Sequence, residues 1–135
     1  MASDPAPTPL VLKVDCIQIP VSDLEDALAF YRDRLGHELI WRTDTAVGLK
    51  LPESEAEIVL QTERPQLEPN LKVDSADDAT ERFVKAGGSV VLPPFDIRIG
   101  RCAVVKDPFG NRLVPLDASK GLLTTDEHGN VTGNA

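Results

Sequence analysis

Val14-Asp15-Cys16-Ile17-Gln18-Ile19-Pro20-Val21 runs directly into Ser22-Asp23-Leu24-Glu25, and this stretch decides how the chain folds. The first part alternates as a β-strand does. Ile17, Ile19 and Val21 share one face, while Cys16 and Gln18 share the other. Ser22 and Glu25 have the spacing of a capping box, in which a hydroxyl and a carboxylate satisfy the free N–H groups of a helix start. Leu24, Ala27, Leu28, Tyr31 and Leu35 then recur at helical spacing, and Gly36 suits the helix end. Short strands are expected over Glu38 to Arg42, Ala46 to Leu51 and Glu57 to Thr62.

The same order returns further along. Asn70-Leu71-Lys72-Val73 reads as a strand and Ser75-Ala76-Asp77-Asp78 as a cap. Ala76, Ala79, Phe83 and Ala86 make an apolar stripe ending at Gly87-Gly88. Strands follow at Ser89 to Leu92, Arg101 to Lys106 and Arg112 to Leu116. The last two are separated by the turn residues Asp107-Pro108-Phe109-Gly110-Asn111. A shift of 52 positions lays Val21 on Val73, Asp26 on Asp78, Ala27 on Ala79 and Gly36 on Gly88. The chain reads as two copies of one βαβββ unit. Their bounds are about 12–65 and 68–121 within a single domain at 10–121, with a disordered tail at 1–9 and a polar C-terminal tail at 122–135.

With 135 residues, 41% of them hydrophobic and 27% charged, the chain suits one folded domain. A formal charge of -8 repels phosphate backbones and anionic lipid, which argues against nucleic acid and membrane surfaces as partners. No apolar run approaches the roughly 20 residues that span a bilayer. Met1 to Pro9 has neither the basic nor the apolar region of a signal peptide, so the cytoplasm is the expected compartment. Cys16 and Cys102 are expected as free thiols there.

Val21-Ser22-Asp23-Leu24-Glu25, Phe30-Tyr31, Leu35-Gly36, Ala86-Gly87-Gly88 and Asp107-Pro108-Phe109-Gly110-Asn111, in this order, resemble the vicinal-oxygen-chelate (glyoxalase/bleomycin-resistance/dioxygenase) superfamily. The resemblance covers about Leu12 to Gly121. It implies an α+β fold whose two βαβββ modules form a cupped mixed sheet, with helices on the outer face and the ligand site inside. It also implies a homodimer.

Enzymes of that family typically hold a divalent ion with side chains from four strands. By position these fall on Cys16, Val59, Glu68 and Val114, with Gln61 as the alternative to Val59. Two valines cannot ligate. His37 and His128, the two histidines of the chain, fall in a turn and in the tail. Hence no metal and no cofactor are expected.

Strand parity turns Cys16, Gln18, Glu68, Asn70 and Lys72 into the cup, and Gln61, Trp41, Arg42, Lys50 and Arg101 lie on neighbouring strands. These are the candidate ligand contacts. The expected function is sequestration or carriage of a small molecule, as in the bleomycin-resistance branch. The alternative is a glyoxalase, lyase, isomerase or dioxygenase-type enzyme of the same superfamily, acting without the usual metal or with a non-standard one. In the lyase or isomerase case Glu68 would be the general base and Cys16 a nucleophile only if a base stood beside it. A third reading, an interaction module without a ligand, would need a cup filled by large apolar side chains. The acidic residues Glu53, Glu55, Glu57, Asp74, Asp77 and Asp78 are expected on solvated faces and in helix caps.

Overall fold

The computed structural model describes residues 8–134, so residues 1–7 of the expected N-terminal tail lie outside the described residues. β1 (Lys13–Pro20), α1 (Leu24–Leu28), β2 (Leu39–Arg42), β3 (Ala46–Leu51) and β4 (Ser54–Gln61) make the first unit. β5 (Glu68–Lys72), α2 (Ala76–Lys85), β6 (Ser89–Ile97), β7 (Gly100–Lys106) and β8 (Arg112–Leu116) make the second. The eight strands form one mixed sheet in the order β2-β3-β4-β1-β5-β8-β7-β6, which reads as the same unit on either side of a β1/β5 seam. The seam is antiparallel, with Cys16 opposite Asn70 and Gln18 opposite Glu68. The 52-residue shift lays Cys16 on Glu68 and Gln18 on Asn70. A twofold axis between two repeats demands that crossed pairing, so the repeat seen in sequence is also a repeat in space.

Each unit buries aliphatic residues between its helix and one sheet face. Ala27 and Leu28 of α1 pack on Val47, Leu49 and Leu60, with Ile19, Leu39 and Ile58 partly buried around them. Leu28 has no exposed surface, a burial that contributes about 1.5–3 kcal/mol. α2 lies against β6, β7 and β8 and buries Ala76 and Ala79.

Several local expectations shift. The cap of α1 is Asp23, whose carboxylate accepts from Asp26 N–H, one residue later than the Ser22 box. Ser75 caps α2 as its position suggests. Beyond Leu28 the helix widens into a π-helical turn over Ala29–Arg34. Its longer repeat breaks the 3.6-residue stripe, and Leu35 is left exposed. β6 runs on past Leu92 to Ile97 despite Pro93 and Pro94. It is an edge strand with register shifts at that point, where missing N–H donors are tolerated.

The stretch read as a polar C-terminal tail contains a hairpin of β9 (Leu123–Thr125) and β10 (Val131–Asn134). Asp126 organises its turn by accepting from the N–H groups of His128 and Asn130. Arg42 N–H donates to Gly129 C=O at 2.8 Å, and Asn134 Nδ2 donates to Arg98 C=O at 2.7 Å. The hairpin therefore ties β2, one edge of the sheet, to the turn between β6 and β7. Strands of three and four residues offer too little alternation to register as a pattern.

Candidate functional site

Strand registry lays out the cup floor in rows. Val59, Gln18 and Glu68 stand side by side on β4, β1 and β5. Next to them run Glu57, Cys16, Asn70 and Val114, on β4, β1, β5 and β8. Glu68 has no exposed surface, Cys16 is 4% exposed and Asn70 6%.

Over this floor hangs an arginine from the loop between β4 and β5. Gln61 holds the loop with its whole amide. Its Oε1 accepts from the N–H groups of Glu63 and Arg64, and its Nε2 donates to Arg64 C=O, all at 2.8 Å. Arg64 Nη2 donates to Gln18 Oε1 at 2.8 Å, and its Nε lies 2.9 Å from Glu68 Oε1. That second approach is an ion pair off the line of the N–H, so it does not count as a hydrogen bond. Arg112 donates from Nε and Nη2 to Glu68 Oε2 at 3.1 and 3.0 Å. Among the described residues, the buried side-chain atoms without a hydrogen-bond partner are Arg64 Nε, Glu68 Oε1 and Asn70 Oδ1. All three belong to this site.

On the first-unit side, Trp41 lies across Gly48, where any Cβ would collide with its indole. Its Nε1 donates to Glu57 Oε1 at 2.7 Å. Glu57 is thus half-buried in the cup and not on a solvated face. Burial, reinforced by the neighbouring Asp15, raises its carboxyl above the usual range, and burial raises Asp15 likewise. Burial pushes the Cys16 thiol far up, with Asp15 and Glu57 adding to it, and pushes Cys102 up to about 11. Neither is an activated nucleophile. Both cysteines are free.

The second-unit half of the cup is different. Cys102, Val104, Val114 and Leu116 form a buried cluster covered by Phe95, Ile97 and Ile99. The filling expected of a module without a ligand is therefore present in one half only.

The structure brings Cys16, Gln18, Trp41, Gln61, Glu68 and Asn70 together. Lys50 shares the cup-facing register, opposite Glu57, but is exposed, and Lys72 sits at the far end of β5 opposite Lys13 and Leu116. Arg42 turns away from the floor to pair with Glu25 of α1 at 2.9 Å, and it lines a cleft of about 400 Å³ beneath the hairpin with Arg98 and Asn130. Arg101 leaves the cup altogether, pairing with Asp77 on α2 and Asp96. Arg64, Arg112, Asp15 and Glu57 were not among the sequence candidates for the site. The parity that places Val114 inside places Arg112 there too, and Val59 does the same for Glu57. Arg64 is on a loop, where parity says nothing.

The residues at the family's metal positions do not fit a metal. Val59 and Val114 face the cup with aliphatic side chains, Glu68 is engaged by two guanidinium groups, and Cys16 holds its proton. Among the described residues no group of three or more His, Cys, Asp or Glu side chains is placed to hold a metal ion. His37 bonds Lys50 C=O at the end of β3, and His128 lies exposed in the hairpin turn.

A family model described as the glyoxalase/bleomycin resistance protein/dioxygenase superfamily matches residues 13–114. The fold is similar to methylmalonyl-CoA epimerase from Mycobacterium tuberculosis, with a TM-score of 0.71 and 22% identity over 84% of this chain and 93% of that one. A hypothetical protein from Bacillus halodurans C-125 aligns at a TM-score of 0.69 and 18% identity, over 83% and 98%. A variant of homoprotocatechuate 2,3-dioxygenase from Brevibacterium fuscum aligns at 0.61 and 22%, over 84% of this chain but 34% of that one. No curated protein sequence matches the chain.

Proposed function

Because the chain belongs to the glyoxalase/bleomycin resistance protein/dioxygenase superfamily, we propose that it binds a small organic molecule in its cup without a metal, as a sequestering or carrier protein. The observation that carries this reading is Glu68. At a family ligand position, it serves as counterion to Arg64 and Arg112, while Val59 and Val114 take the carboxylate positions. A floor polar on one side and apolar on the other suits an amphipathic guest.

The test is twofold. Elemental analysis of protein purified without chelator is expected to find no stoichiometric Ni, Zn, Fe or Mn, and one equivalent lost on Glu68→Ala would overturn the reading. A thermal-shift screen of a broad small-molecule panel is expected to give saturable stabilisation.

The enzymatic alternative is weakened at Glu68, which a substrate reaches only if Arg64 or Arg112 moves. It is better served by Asp15 and Glu57, two partly buried carboxyls of raised proton affinity beside Cys16. Turnover of an enolisable substrate that is lost in Glu57→Gln would favour it.

We also expect a homodimer. The support is β6, a sheet edge with Val90, Val91 and Leu92 exposed. Sedimentation of the full chain checks it. No helix among the described residues is long and apolar enough to cross a membrane.

A further inference from the structure

The open guanidinium nitrogens of Arg64 and Arg112, with the unpartnered Asn70 Oδ1, describe the molecule that would complete the cup. We propose that the guest is a small carboxylate bearing a hydroxyl or amino donor next to the acid group. The carboxylate meets the guanidinium groups of Arg64 and Arg112, and the donor meets Asn70 Oδ1. This rests on the small-molecule reading above and narrows it to a ligand class.

Charge is the first argument. Two guanidinium groups against Glu68 leave one positive charge in this cluster, within a chain of net charge -8. A monoanion balances that charge, and a phosphate dianion overshoots it. Arg64 is committed through Nε and Nη2, and Arg112 through the same two nitrogens, so each guanidinium keeps Nη1 without a hydrogen bond among the described residues. Their side chains are 28% and 25% exposed, within reach of a ligand. A planar guanidinium fork matches a planar carboxylate.

Hydrogen-bond chemistry is the second. Of the three buried atoms without a hydrogen bond, Arg64 Nε and Glu68 Oε1 face each other at 2.9 Å as an ion pair, which leaves Asn70 Oδ1 as the acceptor with no partner. A plain carboxylate answers the two open Nη1 groups alone. A hydroxy or amino acid answers Asn70 Oδ1 as well, and a buried acceptor left unpaired is costly enough to discriminate between them. Glu57, on the far side of Cys16, disfavours an anion there and fixes which end of the guest faces the arginines. Val114, Leu116 and Phe95 receive its hydrocarbon.

Calorimetric titration of the full chain with mandelate, lactate, phenylacetate, mandelamide and phenethylamine tests the proposal. Mandelate is expected to bind, phenylacetate about tenfold more weakly for want of the hydroxyl, and the amide and amine at least as much more weakly again. Glu68→Gln removes the competing charge while keeping the shape, so mandelate should bind it about tenfold more tightly. A site in which the ion pairs serve folding alone would bind no better. If Glu68→Gln does not fold, Arg112→Lys keeps the charge, loses the fork and should weaken mandelate several-fold without affecting phenethylamine. Binding of the amine or amide in preference to the acids overturns the carboxylate class and leaves the binder reading standing. Silence here and across the broad panel overturns both.

Discussion

Trp41 and Glu57 are joined by a 2.7 Å hydrogen bond, indole nitrogen to carboxylate, across a strand that has a glycine where they meet. The absence of a side chain at Gly48 lets the ring lie flat on β3 and reach β4. Gly48→Ala is expected to lift the indole, break this bond and cost about 1–3 kcal/mol through overpacking. Trp41 is the lone tryptophan of the chain, so its emission reports the change directly. An unaltered spectrum and melting temperature would refute this placement.

The raised carboxyls of Asp15 and Glu57 make a pH prediction. A folded-state value above the unfolded one means that the native chain binds protons more readily, so stability falls as pH rises through the window between the two. That window opens near the ordinary values of 3.8 and 4.5 and extends upward. Glu57→Gln keeps an oxygen for the indole N–H and removes the charge. It should raise the melting temperature at pH 7 and flatten the decline seen in urea titrations between mildly acidic and neutral pH.

Asp117 has the opposite sign. Burial alone would raise its carboxyl, but the N–H of Ala76, the hydroxyl of Ser119 and the N–H groups of Arg101 and Ser119 outweigh it and hold the group below the usual range. It thereby fastens the first turn of α2 to the end of β8. Its contribution is present above pH 3.8 and is lost as pH falls through the depressed folded value. Asp117→Asn should cost about 1–3 kcal/mol at pH 7, less in acid, measured by denaturant unfolding.

The thiols should be inert. With Cys102 raised to about 11 and Cys16 higher still, both buried, iodoacetamide at pH 7.5 is expected to label neither in the folded chain and both in urea. Rapid native labelling of Cys16 would reopen the nucleophile reading.

The fold was readable because its evidence is local and repeated. Alternation in Val14 to Val21, the cap at Ser75 and the helix-ending glycines at 36 and 87 each follow from one segment, and the repeat supplies them twice. The floor of the cup was readable by parity, which turns Cys16, Gln18, Glu68 and Asn70 to one side. The roof was not. Arg64 depends on a loop held by Gln61, and no periodicity governs a loop. Arg101 misled because its destination, Asp77, lies on a helix whose distance from β7 is a tertiary fact. The hairpin was hidden by its brevity.

The paired halves of the sheet have a consequence for stereochemistry. A receptacle lined alike on both sides of a twofold axis would accept a guest in either of two orientations. Here one wall offers Glu57 and an indole, the other valines and a phenylalanine, and the cations stand near the divide. A molecule bound there as proposed would have a prescribed head and tail, and its mirror image would misplace one of the three contacts, so the duplicated scaffold would provide what chiral discrimination requires.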